Sequence, residues 1–162
     1  MSKALREHQR VGEAYLAEGG RTVRRRIDAP APAVWSALLD ARAWTQWLPI
    51  TQVTWTSPAP FGVGTTRTVQ IGQAIVEESF FAWEDGRRMA FCFERSSLPV
   101  SAAVEDYRVE PQGGACELIW KGRASAVFPL GFLVTRQLAS GISAGLPKLE
   151  ALIKSEPGRF GL

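Results

Sequence analysis

From about residue 50 to residue 125 the chain is an unbroken succession of short alternating segments separated by tight turns. The segments at 50–57, 64–71, 74–84, 87–95, 101–110 and 115–125 read as strands. Their connections are too short for the crossovers that parallel pairing demands, so neighbouring strands have to run antiparallel. A further strand is expected at 22–27. An antiparallel sheet of this size has to curl or have one face covered. The stretch VFPLGFLVTRQLASGISAGLPKLEALI, read as a helix over 129–154 that opens near Pro129, is the natural cover.

The hairpins specify which side chains face that cover. Asp85-Gly86 supplies the positive φ of a two-residue turn, which predicts pairs Glu84–Arg87, Ala82–Met89, Phe80–Phe91 and Glu78–Phe93. A turn at Gly72-Gln73 pairs Ile71 with Ala74, Val69 with Val76 and Arg67 with Glu78. The loop Pro111–Gly114 pairs Val109 with Cys116, Tyr107 with Leu118 and Glu105 with Trp120. Opposed residues share a face, and the three registers agree on one apolar face: Val69, Ile71, Val76, Phe80, Met89, Phe91, Phe93, Tyr107, Val109, Leu118 and Trp120. Thr66, Thr68, Gln70, Asp106, Arg108, Lys121 and Arg123 point the other way, with Cys92 the one apolar exception among them.

The same registers force Arg67, Glu78, Arg95 and Glu105 inward beside Tyr107. Ionised groups are buried only with a partner, water or a ligand. The bland reading is a structural ion pair; the sharper one is an open cavity in which these groups orient a largely apolar ligand. The last helix is rich in small residues, Gly131, Ser140, Gly141, Ser143, Ala144 and Gly145, which permit either close contact or empty space, and Pro147 is expected to kink it.

Upstream, residues 3–18 put Leu5, His8, Gly12, Tyr15 and Leu16 on one helical face, predicting an N-terminal helix ended by Gly19-Gly20. His8 reads as a packed or solvated side chain. Helices are expected at 33–39 and 41–48, the second carrying Trp44 and Trp47 and stopping before Pro49. The organisation is therefore an N-terminal helical extension at 1–20, a domain at 21–155 and a tail at 156–162.

Other function classes are disfavoured. With one histidine and two cysteines outside any C-x-x-C pair, the chain offers no metal set, and both cysteines read as buried thiols. No cofactor motif is present. Arg24-Arg25-Arg26 belongs to the first strand and no nucleic-acid motif accompanies it. The charged start of the chain and the absence of a long apolar run predict a cytoplasmic protein with no transmembrane segment.

The order of elements and four stretches, RRRIDAPAPAVWSALLDARAWTQWLP, GVGTTRTVQI, EESFFAWEDGRRMAF and YRVEPQGGACELIW, resemble the START-like (SRPBCC) superfamily of helix-grip folds. Within it they resemble the polyketide cyclase/dehydrase-like branch, over roughly residues 21–155. The resemblance implies an α+β helix-grip fold: a curved antiparallel sheet wrapped around a long C-terminal helix, two short helices after the first strand, and a ligand cavity between sheet and helix. The candidate ligand-binding residues are Arg67, Val69, Glu78, Phe80, Phe91, Phe93, Arg95, Glu105, Tyr107, Leu118 and Trp120, with Trp47 near the mouth.

Three functions follow from such a scaffold. The first is a carrier or sensor for a hydrophobic small molecule such as a lipid, polyketide or isoprenoid. The second is a cyclase or dehydratase. There Arg67 is expected to hold the Glu78 pKa down, which makes Glu105 the better base, with Tyr107 or Arg67 stabilising enolate charge. The third is an interaction module of the chaperone-regulator kind, using the outer sheet surface or the N-terminal helix; the polar outer face argues against it.

Overall fold

The computed structural model describes residues 4–162. Eight strands form one antiparallel sheet: β1 (Arg6–Glu7), β2 (Arg21–Ile27), β3 (Gln52–Trp55), β4 (Thr66–Ile71), β5 (Ala74–Glu84), β6 (Arg88–Ser96), β7 (Ala102–Gln112) and β8 (Ala115–Ser125). Their order is β2-β8-β7-β6-β5-β4-β3, with β1 added to β6. Four α-helices accompany them among the described residues: α1 (Glu13–Ala17), α2 (Ala31–Leu39), α3 (Trp44–Trp47) and α4 (Leu130–Ser155). The main core lies between the concave face of the sheet and α2, α3 and α4. This is the curved-sheet, helix-grip α+β architecture.

The short helices follow from local chemistry. Pro30 is extended and Pro32 sits in the first turn of α2, where a missing N–H costs nothing. Asp40 Oδ1 accepts from Arg42 N at 2.9 Å and Ala43 N at 3.2 Å, turning the chain into α3. Leu48 is extended ahead of Pro49, which ends that helix.

The Gly72-Gln73 hairpin has the expected pairs, Arg67 opposite Glu78 among them. In the third hairpin Val109 meets Leu118, Tyr107 meets Trp120 and Glu105 meets Gly122, two residues away from the expected register. Because side chains alternate with period two, an even shift leaves every residue on its expected face.

The middle hairpin departs more consequentially. Glu84 pairs with Arg88, so the link is Asp85–Arg87, and a bulge at Phe81 restores Phe80 opposite Phe91. A second bulge at Glu94 puts Arg95 opposite Glu77. The extra residue moves Arg95 to the outer face, where it forms a two-pronged pair with Glu77 at 2.8 Å. Arg95 therefore does not belong to the cavity.

The N-terminal segment is not the expected helix, of which residue 3 lies outside the described residues. β7 leaves β6 after the pair Cys92–Val104, so the β6 edge beyond Cys92 would lack partners. The segment fills it: Arg6 and Glu7 pair with Ser96 and Arg95, and His8 N donates to Glu94 O at 2.9 Å. Helix forms only after Gly12. Leu16 then packs with Cys92 and Val104 on the outer face, flanked by Val11, Tyr15 and Phe81. Cys92 is thus no exception; it is covered. Both cysteines are free and buried.

The chain after residue 155 is likewise packed. Pro157–Phe160 forms a 3-10 turn whose Phe160 enters the core, while Arg159 donates to Asp40 and Gln46 at 2.8 Å. The helix α4 continues through Pro147.

Candidate functional site

A cavity of about 350 Å³ lies between the sheet and α4, at the lower end of the roughly 300–1,000 Å³ usual for small-molecule sites. Val69, Val76, Phe93 and Tyr107 form its floor, and Val134, Leu138 and Ile142 of α4 its roof. Trp44 with Leu48–Ile50 closes one side, and Leu98, Pro99 and Val100 close another.

The small residues of α4 divide their work. At Gly145 a Cβ would stand 2.5 Å from Trp47 O, so the glycine permits close contact with α3. At Gly141, in the cavity wall, a Cβ would meet nothing within 4 Å. One glycine brings helices together and the other leaves room.

The polar equipment is concentrated on the floor. Arg67 and Glu78 are 2% and 4% exposed, and Arg67 Nε donates to Glu78 Oε2 at 2.5 Å. The guanidinium carbon lies 4.4 Å from the Trp44 ring centre and 4.7 Å from that of Phe91, an aromatic setting that favours a desolvated cation. Arg67 Nη1 is buried with no hydrogen-bond partner. From β7, Glu105 Oε1 accepts from Trp120 Nε1 at 2.9 Å and from Tyr107 OH at 3.1 Å.

Burial decides the protonation of this group. It raises the Glu78 carboxyl to about 7 despite the opposing Arg67 charge, with Glu105 pushing in the same direction. Desolvation also raises Glu105, against the pull of Trp120, Arg67 and Tyr107. It holds the Tyr107 phenol well above its usual value, so that hydroxyl remains a donor. The expectation that Arg67 holds Glu78 down is therefore reversed, because the desolvation of a wholly enclosed carboxylate exceeds the attraction of one guanidinium. Two carboxyls around one cation favour retention of one proton in the cluster.

Of the residues singled out in the sequence, the structure brings Arg67, Val69, Glu78, Phe93, Glu105 and Tyr107 to the cavity. Phe80, Phe91, Leu118, Trp120 and Trp47 are enclosed in the core behind it and do not line it. Trp120 and Phe91 act one step back, on Glu105 and Arg67 respectively. Trp44 is the tryptophan in the wall; Trp47 seats α3 on α4. The segment Leu98–Val100 and the α4 residues were not legible as lining. The only sequence signal for them was the apolar loop SSLPV and the i, i+4, i+8 spacing of Leu130, Val134 and Leu138.

Among the described residues no group of three or more His, Cys, Asp or Glu is placed to hold a metal ion. His8 lies at the β1–β6 edge, with Nε2 2.5 Å from Ser96 Oγ, and burial lowers its pKa.

This arrangement matches a known family. Residues 21–154 fit the model described as "Polyketide cyclase / dehydrase and lipid transport". The chain belongs to that family. An uncharacterized protein of Mycobacterium tuberculosis is 44% identical over 117 residues, covering 69% of this chain and 70% of its own, and a Mycobacterium bovis protein matches equally. Among solved structures, the protein XoxI from Bacillus cereus superposes with a TM-score of 0.70 at 16% identity, covering 86% of this chain and 98% of its own. A START superfamily protein from Mycobacterium smegmatis gives 0.68 at 14%, over 85% and 99%. The di-domain ARO/CYC BexL of the BE-7585A biosynthetic pathway gives 0.69 at 18%, over 86% of this chain and 47% of BexL. These neighbours share the fold.

Proposed function

We propose that the protein binds a hydrophobic small molecule, of lipid, polyketide or isoprenoid-like character, in the cavity beneath α4 and acts as its carrier or sensor. The observation that carries this reading is the unpartnered Nη1 of Arg67, a residue of the polar cluster on the floor of a cavity whose walls are largely apolar. A buried donor left without an acceptor costs about 1–3 kcal/mol, more when charged. A ligand oxygen placed there recovers that cost, and the surrounding walls accommodate the apolar remainder. The ligand is thus expected to carry a carbonyl or hydroxyl at one end of an apolar body.

The test is direct binding, followed by the fluorescence of Trp44 in the wall. A ketone or alcohol is expected to bind more tightly than the hydrocarbon of equal size, and Arg67→Met to abolish that difference. If no apolar compound binds, or if the preference survives Arg67→Met, the reading fails.

A catalytic reading, as a cyclase or dehydratase, is favoured by one observation. Glu78, raised to about 7, is matched to proton transfer near neutral pH, and Arg67 lies beside it to stabilise an enolate. Glu105, with one oxygen already accepting two bonds, then serves as the second carboxyl, and Tyr107 as the donor that orients it. Turnover of a bound polyketone lost in Glu78→Gln, with binding retained, would support it; intact turnover in that variant would eliminate Glu78 as the base.

A further inference from the structure

The stretch leading into α4 exposes an unusual amount of apolar surface. Val127 and Phe128 are 81% and 93% exposed, and Leu130, Phe132 and Leu133 are exposed with them. A contiguous patch of this kind on a protein surface marks an interaction site. Neither the core nor the cavity accounts for it.

Two observations identify the partner. First, the border is basic. The Arg21 guanidinium lies 5.3 Å from the Phe132 ring centre, and Arg136 follows one turn along α4, sharing a shallow groove with Arg21. Second, the patch is continuous with the cavity. Leu130, Val134 and Leu138 recur every four residues, so one face of α4 runs from the exposed tip into the roof. Ser101 N donates to Ser125 O at 2.7 Å, which brings the Leu98–Val100 rim to the same end of the molecule.

We propose that the Val127–Leu133 tip and its arginine border seat the protein on the surface of an anionic lipid bilayer, with the cavity end turned toward the membrane. Aromatic and aliphatic side chains enter the interfacial region while Arg21 and Arg136 meet lipid phosphates, the pairing of apolar area with basic charge that surface-bound helices use. A second copy of the chain is a poorer occupant. A two-fold contact through this patch would set the arginines of both copies side by side with no acid between them. The inference goes beyond ligand binding and is read without any ligand, so its failure leaves the cavity reading standing.

The experiment is flotation of the full chain with phosphatidylcholine vesicles, with and without phosphatidylglycerol. The chain is expected to float with the anionic vesicles and much less with the neutral ones. The double variant Phe128→Ser/Phe132→Ser, altered only at exposed positions, is expected to partition roughly tenfold or more weakly with an unchanged melting temperature. Arg21→Glu/Arg136→Glu is expected to lose the preference for anionic lipid. Failure to float with either vesicle overturns the proposal, as does wild-type partitioning by the phenylalanine variant. A concentration-dependent dimer abolished by the same phenylalanine changes would also overturn it, assigning the patch to a second copy.

Discussion

The two faces of the sheet each carry an arginine–carboxylate cluster, and the clusters have opposite character. Outside, Arg88 bonds both oxygens of Asp106 at 3.1 Å and reaches Glu13 at 2.7 Å, with Arg108 adding a further bond to Asp106 at 3.2 Å. Bonding to Arg88 pulls the Glu13 carboxyl below its usual range. Inside, Arg67 and Glu78 are fully enclosed, the carboxyl is raised, and one guanidinium nitrogen has no partner. The outer set is complete in itself. The inner set is not, and the residue chemistry is the same; what differs is access to water and the number of partners each group is given.

The largest expected effect comes from breaking the inner pair. Arg67→Ala leaves Glu78 enclosed without its cation and is expected to cost about 3–5 kcal/mol in urea unfolding. Arg88→Ala is expected to cost about 1–2 kcal/mol, because Arg108 remains beside Asp106 and solvent reaches Glu13. Equal losses would end the distinction between the clusters.

The pH dependence of stability should follow with opposite signs. The Glu78 carboxyl rises from 4.5 to about 7 on folding, so the folded state holds the proton that the unfolded state releases. Its contribution therefore makes stability fall as pH rises from 4.5 to 7, by an amount on the order of a few kcal/mol. Glu13, lowered on folding, contributes above its ordinary value of 4.5 and loses that contribution as pH falls. Glu78→Gln should flatten the inner decline in pH-resolved denaturation curves and leave the acid limb unchanged.

Smaller in stability, but decisive for the cavity, is Gly141→Leu. The added Cβ meets nothing within 4 Å, and replacing a helical glycine adds up to about 1 kcal/mol. Apolar ligands should nevertheless bind roughly tenfold or more weakly, because the space is filled. Smallest of all is Arg95→Ala, for which neither ligand affinity nor melting temperature should change.

Most of the fold was legible because the sheet is written in turns. Gly72-Gln73 and Asp85-Gly86 located the hairpins, and Val109 reached its correct face even with its partner misassigned, since a shift of two preserves the alternation. Arg95 could not be placed correctly: a bulge inserts one residue and has no periodic signature, so Glu94 looked like any other strand position. The N-terminal strand was hidden for a different reason. Arg6 and Glu7 pair because β6 outruns β7, a condition that exists only after the sheet has formed. Within the site, Arg67, Glu78 and Glu105 stood out as charges on an apolar face. Their protonation did not, because the balance between Arg67 and desolvation depends on how completely α4 and Trp44 close over them.

The short pairing of β1 with β6 also bears on how the protein can be handled outside its cell. The family match begins at residue 21, and a chain trimmed there would lose the segment that pairs with Glu94–Ser96 and the Leu16 side chain that shields Cys92 and Val104. The exposed backbone edge would then lie beside a bare apolar strip, a combination that templates strand addition between molecules. The segment from Arg6 to Leu16 therefore acts as a built-in guard against self-association of the sheet.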